Sequence, residues 1–185
     1  MRIIAGTAKG RRLKTPKGKA IRPTSDRVRE AIFNMVGPDV VGARVLDLYA
    51  GTGAFGIEAL SRGAAEVIFM DDAREAVALI DVNLRLTGLV DGGRIIKVKI
   101  EKGLDRLAKE PTSLNLIFLD PPYRISVSVL RDICEKAARL LAAGGLMIVE
   151  HSTKLVAPDI DGMTATASKK YGDTTVTIYS KRGRK

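Results

Sequence analysis

Apolar residues between positions 44 and 150 fall into two alternating patterns. Short continuous runs at Arg44–Leu48, Glu66–Met70, Arg94–Ile100, Leu114–Leu119 and Leu146–Glu150 predict strands buried on both faces. Between them, Gly53–Arg62, Ala73–Leu86, Glu101–Ala108 and Val127–Leu141 carry apolar residues at helical spacing. Gly63, Gly88 and Gly144 follow three of these helices, where a left-handed residue ends a helix at little cost. Strand–helix alternation predicts an α/β fold whose mostly parallel sheet is covered by helices on both faces. Beyond residue 150 the rhythm changes. Met163–Ser168 and Thr174–Ser180, joined through Lys169–Asp173, predict a C-terminal antiparallel hairpin that completes a seven-stranded sheet.

The first 37 residues read differently. Arg2–Gly6 and Arg11–Lys14 flank the turn-like Thr7–Ala8–Lys9–Gly10 and predict a short basic hairpin. A loop rich in Lys, Gly and Pro spans Pro16–Pro23. Thr24 or Ser25 can then cap a helix with Asp26 in its first turn; Val28, Ala31, Ile32, Met35 and Val36 form its apolar stripe, and Gly37–Pro38 stops it. The expected division is therefore a basic extension over 1–37 and a main domain over 38–185.

Charge sharpens this division. Residues 1–29 hold ten Lys/Arg against one acid, and residues 169–185 hold six against one, whereas 30–168 hold fifteen against nineteen. A near-neutral body with basic ends suits a catalytic domain that grips a polyanion. The competing reading is that the end charges only keep the termini solvated. Cys134 is the only cysteine and His151 the only histidine, so a disulfide framework and a Cys/His zinc site are excluded by count. Cys134 lies on the apolar face of its helix and is expected in the core. His151 follows a strand and is expected to flank it rather than to react. No apolar run reaches the ~20 residues of a membrane span, and Gly6 and Lys9 interrupt the N-terminus too early for a signal-peptide core, so a cytoplasmic protein is expected.

The first chemical motif is Asp47–Leu48–Tyr49–Ala50–Gly51–Thr52–Gly53–Ala54–Phe55–Gly56, which runs from a strand into a helix. Such glycine turns bring backbone close to a ligand, and dinucleotide-binding proteins share them. Asp47 favours another ligand. A carboxylate at this strand end suits the cationic amino group of S-adenosylmethionine and would repel a pyrophosphate. Asp71 closes the next strand, where an acid can accept ribose hydroxyls; Asp72 is adjacent and is the alternative for that role, and Asp71 can instead cap the helix that follows.

The second motif is Asp120–Pro121–Pro122–Tyr123, after the strand Leu114–Leu119. An exocyclic amine on a base is a weak nucleophile because its lone pair is delocalised into the ring. The Asp120 carboxylate and the Pro121 carbonyl can accept its two hydrogens and aim the lone pair at a methyl donor. Two prolines stiffen the loop, and Tyr123 offers a face for stacking the base. Direct methyl transfer of this kind needs no histidine, metal or covalent intermediate.

On these segments, together with Met1–Gly6, Arg22–Pro23–Thr24–Ser25–Asp26–Arg27–Val28–Arg29–Glu30, Ile32–Asn34 and Glu58–Gly63, the chain resembles the RsmD family over essentially its whole length. These are bacterial 16S ribosomal RNA (guanine-N2)-methyltransferases of the Rossmann-like class I, S-adenosylmethionine-dependent superfamily. The resemblance implies methylation of the guanine N2 amine at position 966, in an assembled or partly assembled small subunit, by a monomer without a metal. It implies that Asp47, Ala50, Gly51, Gly53 and Asp71 hold the cofactor and that Asp120, Pro121, Pro122 and Tyr123 hold the base. The basic hairpin and the loop around Arg22 are expected to clamp phosphates, with Lys9, Arg11, Arg12, Arg22 and Arg27 as the RNA-binding residues. Lys99 stands where related enzymes place Asp or Asn beside the adenine, which leaves that contact to the backbone of Ile100.

Two other functions compete. D-P-P-Y also occurs in DNA amino-methyltransferases, and N-P-P-Y in protein amide methyltransferases, although a DNA enzyme's separate recognition domain has no room here. A non-catalytic RNA-binding assembly factor is the other alternative, which the intact motifs disfavour. The Tyr171–Gly172–Asp173 turn reads equally as an RNA contact or a simple connection.

Overall fold

In a computed structural model, residues 1–16 and 26–183 are described. The expected loop at 17–23, the Thr24/Ser25 cap and Arg22 lie outside them. The helix α1 (Asp26–Val36) is followed by β1 (Arg44–Leu48), α2 (Ala54–Ser61), β2 (Glu66–Asp71), α3 (Arg74–Thr87), β3 (Gly93–Lys97), α4 (Ile100–Leu107), β4 (Leu114–Leu119), α5 (Val127–Leu140), β5 (Leu141–Ser152), β6 (Met163–Tyr171) and β7 (Thr174–Lys181). The strands form one sheet in the order β3-β2-β1-β4-β5-β7-β6. β3 to β5 pair in parallel across the sheet, and β7 runs antiparallel to both β5 and β6.

Two apolar layers cover the sheet. The N-terminal hairpin, α1, α2 and α3 pack on one face with Val45, Phe69, Phe118 and Ile148. Helices α4 and α5 pack on the other with Leu46, Met70, Leu119 and Val149. Strand alternation thus sends successive side chains into different layers.

Two expected boundaries move. The third strand does not extend through Ile100; it ends at Lys97, and Ile100 opens α4. Ile100, Gly103, Leu104 and Leu107 are all buried, a helical repeat that Ile100 starts. The fifth strand begins at Leu141, earlier than Leu146, because Leu114 pairs Leu141 whereas Leu116 pairs Leu146. Gly144, with φ +77°, lies in this irregular stretch and does not end α5. Instead, Lys181 Nζ donates to the Ala138 and Leu141 carbonyls at 2.8 and 2.6 Å. In the C-terminal hairpin β6 continues to Tyr171, which pairs Thr174, so the turn shortens to Gly172–Asp173.

The hairpin at residues 2–12 is present, with Arg2 and Arg12 bridged antiparallel, and it is sewn onto the main domain. Ile3, Ala8 and Leu13 are buried in the same apolar layer as α2. Helix α2 is buried at every position, so its two polar side chains must find partners inside. Glu58 accepts the Ile4 and Ala5 N–H groups at 2.8 and 3.0 Å. Ser61 Oγ accepts Ala8 N–H at 2.9 Å and donates to Ala5 O at 2.6 Å. Asn83 of α3 holds both backbone groups of Lys14, at 2.7 and 3.0 Å. Glu58 also pairs with Arg62 Nε at 2.7 Å and with the fully buried Arg29 of α1 at 3.7 Å. Arg29 Nη2 donates in turn to Arg2 O and to Asp26 Oδ1. The Arg62 guanidinium lies 4.7 Å over the Phe33 ring. Hairpin, α1 and α2 therefore share one buried polar network.

Candidate active site

The strand order reverses between β1 and β4. From β1 the chain builds outward through β2 and β3, then returns to the other side of β1 for β4 and β5. Loops leaving the carboxyl ends of strands that diverge in this way open a crevice, the usual ligand position in such sheets. The glycine turn leaves β1 there and Asp120–Tyr123 leaves β4 beside it: Leu48 pairs Leu119, and Asp120 N–H approaches Leu48 O at 3.5 Å. The two sequence motifs lie on one rim.

The glycine turn is held from below by two acids. Asp47 is 2% exposed, and its Oδ2 accepts the Gly56 N–H of α2 at 2.9 Å. Asp71 Oδ2 accepts Gly51 N–H at 2.9 Å, and its Oδ1 accepts Ala73 N–H at 3.0 Å. Ala50 is anchored by its N–H to Met70 O. Gly51 and Gly53 have φ of +56° and +76°, a region that suits glycine. A Cβ on Gly56 would lie 2.2 Å from the Phe69 ring, so this third glycine is required by close packing of α2 on β2. Tyr49 adopts φ +57° without being glycine, a strained turn residue that the sequence did not single out.

The Asp47 carboxyl is pushed up to about 8, chiefly by burial, against the Gly56 N–H that lowers it and with a smaller upward push from the neighbouring Asp71 charge. The Tyr49 phenol is pushed to about 12 by burial and then by Glu101, Asp72 and Asp71. In a chain of net charge +10, this crevice is locally acidic. Asp72 is exposed beside Asp71. Ile100 is buried at the first position of α4.

Across the crevice, Pro121 is buried while Pro122 and Tyr123 are exposed. The Pro122 carbonyl accepts Ile125 N–H at 2.9 Å, which closes the turn. Tyr123 leaves a large face in solvent, while its hydroxyl donates to Asp173 O at 2.8 Å. This bond ties the loop to the Gly172–Asp173 turn, so the C-terminal hairpin supports the site. Asp120–Tyr123, Ile125, Glu150, His151, Ser152, Leu155 and Thr174 line a depression there. Glu150 is a site residue that the sequence reading passed over.

His151 is buried, with Nδ1 donating to Ser152 O and Nε2 facing Thr177 Oγ1, each at 3.0 Å. Both nitrogens are engaged, as a strand-flanking role requires. Cys134 is buried among α5 contacts, and burial pushes its thiol up to about 12, which makes it core material. Of the expected RNA contacts, Lys9, Arg12 and Arg27 are exposed. Arg11 is exposed too, but its Nη1 donates to Leu86 O at 2.8 Å and fastens the hairpin to the end of α3. Lys9, Arg27 and Arg2 border one groove beside the hairpin, together with Asp26 and Glu30. Among the described residues no His/Cys/Asp/Glu group could hold a metal, and no helix is long and apolar enough to cross a membrane.

The family described as Conserved hypothetical protein 95 matches residues 1–180. Ribosomal RNA small subunit methyltransferase D of Escherichia coli (strain K12) is 37% identical over 150 residues, 81% of this chain and 71% of its own. The chain belongs to the RsmD family. Another of its relatives, YlbH of Bacillus subtilis (strain 168), is 40% identical over 99% of this chain and 100% of its own. The solved structure of yhhF from Escherichia coli superposes with a TM-score of 0.85 at 32% identity, covering 100% of this chain and 99% of that one. RsmD membership agrees with the Rossmann-like methyltransferase fold, and the chain is an rRNA methyltransferase.

Proposed function

We propose that this enzyme transfers a methyl group from S-adenosylmethionine to the exocyclic N2 amine of a guanine in the RNA of the small ribosomal subunit. The observation that carries the reading is the placement of an acidic glycine-turn crevice directly beside Asp120–Tyr123 at the β1/β4 divergence.

The crevice suits a cation. Asp47 is a buried carboxyl with a second acid, Asp71, close enough to raise it. An arriving ammonium would draw it into its charged form, whereas a dinucleotide pyrophosphate would meet Asp47 and Asp71 with repulsion. Asp47, Ala50, Gly51 and Gly53 would hold the methionine end. Asp71, with lone pairs left on both oxygens, would accept the ribose hydroxyls, and the backbone of Ile100 would border the adenine. When bound, S-adenosylmethionine supplies an electrophilic methyl carbon on a positively charged sulfur.

On the other side, Asp120 and the Pro121 carbonyl accept the two amine hydrogens while Tyr123 stacks on the base. Held by these acceptors, the nitrogen lone pair would be freed from the ring and aimed at the methyl carbon that the donor supplies. The surplus amine proton passes to Asp120 or to water. Alignment of this kind can remove ~7–11 kcal/mol of barrier. Lys9, Arg12 and Arg27, with Arg22 beyond the described residues, would grip phosphates, and Arg11 would do so while holding the hairpin. The basic extension over 1–37 would thus serve as the RNA grip of the domain at 38–185. The enzyme would act as a cytoplasmic monomer on an assembled or partly assembled subunit.

Incubation with tritiated-methyl S-adenosylmethionine tests the substrate class. Label should enter small ribosomal subunits and not duplex DNA or total protein. Label in DNA or protein would replace this reading, and tight subunit binding with no transfer would make the chain an assembly factor.

A further inference from the structure

The strongest feature outside the assigned motifs is Glu150, at the carboxyl end of β5. Leu119 pairs Val149 in the parallel ladder, so Asp120, the first residue past β4, follows beside Glu150, which is still within β5 and pairs Val176 of β7. Alternation within β5 puts Glu150 on the face of Ile148, and Asp120 follows two residues after Phe118 of that same face. Phe118 and Ile148 pair, and both pack in the same apolar layer, two residues before Asp120 and Glu150 respectively. Neighbouring strands lie about 4.8 Å apart. Both residues line the depression that Pro121, Pro122 and Tyr123 border.

Two adjacent carboxylates place a particular demand on the edge of a base. Carboxylates accept hydrogen bonds and cannot donate while ionised. In adenine and cytosine the ring nitrogen beside the exocyclic amine is an acceptor, whose lone pair a second carboxylate would repel. In guanine the ring nitrogen N1 beside the N2 amine carries a hydrogen. Guanine alone among the amino bases offers amine and ring N–H donors next to each other.

We infer that Glu150 is the specificity residue of this site, accepting the N1–H of guanine while Asp120 and the Pro121 carbonyl accept its N2 hydrogens. The inference rests on the reading of Asp120–Tyr123 as the amine site. Glu150 contributes by rejecting bases whose ring nitrogen has no hydrogen, since a site built around a donor leaves its polar group unmatched when that donor is missing.

The test replaces the target guanine by 2-aminopurine, which keeps the amine but has a bare N1 acceptor. Small subunits are reconstituted with rRNA carrying either base at the nucleotide that the wild-type enzyme methylates. Wild type should prefer guanine by about ten-fold or more in kcat/KM. In Glu150→Gln the amide can donate to the bare N1, so the preference should collapse to about one or invert. Glu150→Ala, which neither accepts nor donates, should discriminate weakly. S-adenosylhomocysteine affinity, measured by calorimetry, should remain at the wild-type value in both variants and reports that they fold. A merely structural role would lower both substrates together and leave the guanine preference intact, and that result overturns the inference. If the wild-type product on the guanine substrate is not N2-methylguanine, the amine-site reading itself falls.

Discussion

At the scale of single residues, the site's acids separate into supports and reactants. Asp47 is a support whose burial has a measurable cost. Its folded carboxyl titrates at about 8 against an ordinary 3.8. Between those values the folded state keeps a proton that the unfolded state releases, so this group's contribution falls as pH rises from about 4 to about 8. Asp47→Asn retains an oxygen for Gly56 N–H and removes the titration. In urea unfolding at pH 5 to 8, the variant should gain on wild type at each step upward; parallel curves would show that Asp47 is not the buried acid described. In the proposed reaction Asp120 belongs to the reactants. Asp120→Ala should lower kcat by about 100-fold or more, given that a positioned polar group is worth ~2.7–4 kcal/mol in the transition state. Cofactor affinity, measured by calorimetry with S-adenosylhomocysteine, should be unchanged. Tyr123 combines two tasks that substitution can separate. Tyr123→Phe removes the bond to Asp173 O but keeps the stacking face, whereas Tyr123→Ala removes both. The alanine variant should lose the ~1–3 kcal/mol of base stacking, seen as a rise in KM for the subunit, and the phenylalanine variant should stay much closer to wild type.

At the scale of elements, the hairpin and helix that precede β1 are bound to α2 by charges buried away from water. Arg29 and Glu58 are both fully buried, and their pair sits amid backbone bonds to residues 2, 4 and 5. Removing one partner of such a pair leaves an uncompensated charge, at a cost of about 3–5 kcal/mol. Arg29→Met should therefore lower the unfolding free energy by that amount in chemical denaturation, and a change below about 1 kcal/mol would contradict the network. Here the sequence was partly legible. Arg29 stood inside the family-specific string Arg22–Glu30, and Glu58 was the one acid in a mostly apolar helix, yet neither spacing nor composition told that they meet across 29 positions. The parallel strands were legible because continuous apolar runs report burial on both faces. The start of α4 was not, because Ile100 fits a strand run and a helical repeat equally well until the strand's partner is known; β3 ends where Lys97 pairs Asp71, the last residue of β2. The early start of β5 was hidden for a similar reason, since the pairing of Leu141 with Leu114 depends on an irregular stretch containing two glycines.

For the whole molecule, the charge distribution separates two tasks. An acidic crevice, proposed above to take the cationic methyl donor, sits within a chain whose ends are strongly basic. The candidate motifs could be read from the sequence because each carries its chemistry within a few residues. Glu150 could not, because its relation to Asp120 exists only through the register of β4 and β5. If the exposed Lys9, Arg12 and Arg27 each neutralise a phosphate, replacing all three with alanine should weaken subunit binding and flatten the slope of log K against log salt by roughly 0.7–0.9 per lost contact. An unchanged slope would remove the hairpin from the RNA interface. The central claim is that the two loops on one rim bring a methyl donor to a base amine. Mass mapping of nucleosides from unmodified small subunits, after incubation with enzyme and S-adenosylmethionine, tests it most directly. The account predicts a single new N2-methylguanine that disappears with Asp120→Ala; methylation at a ring nitrogen, a ribose or a different base would contradict it.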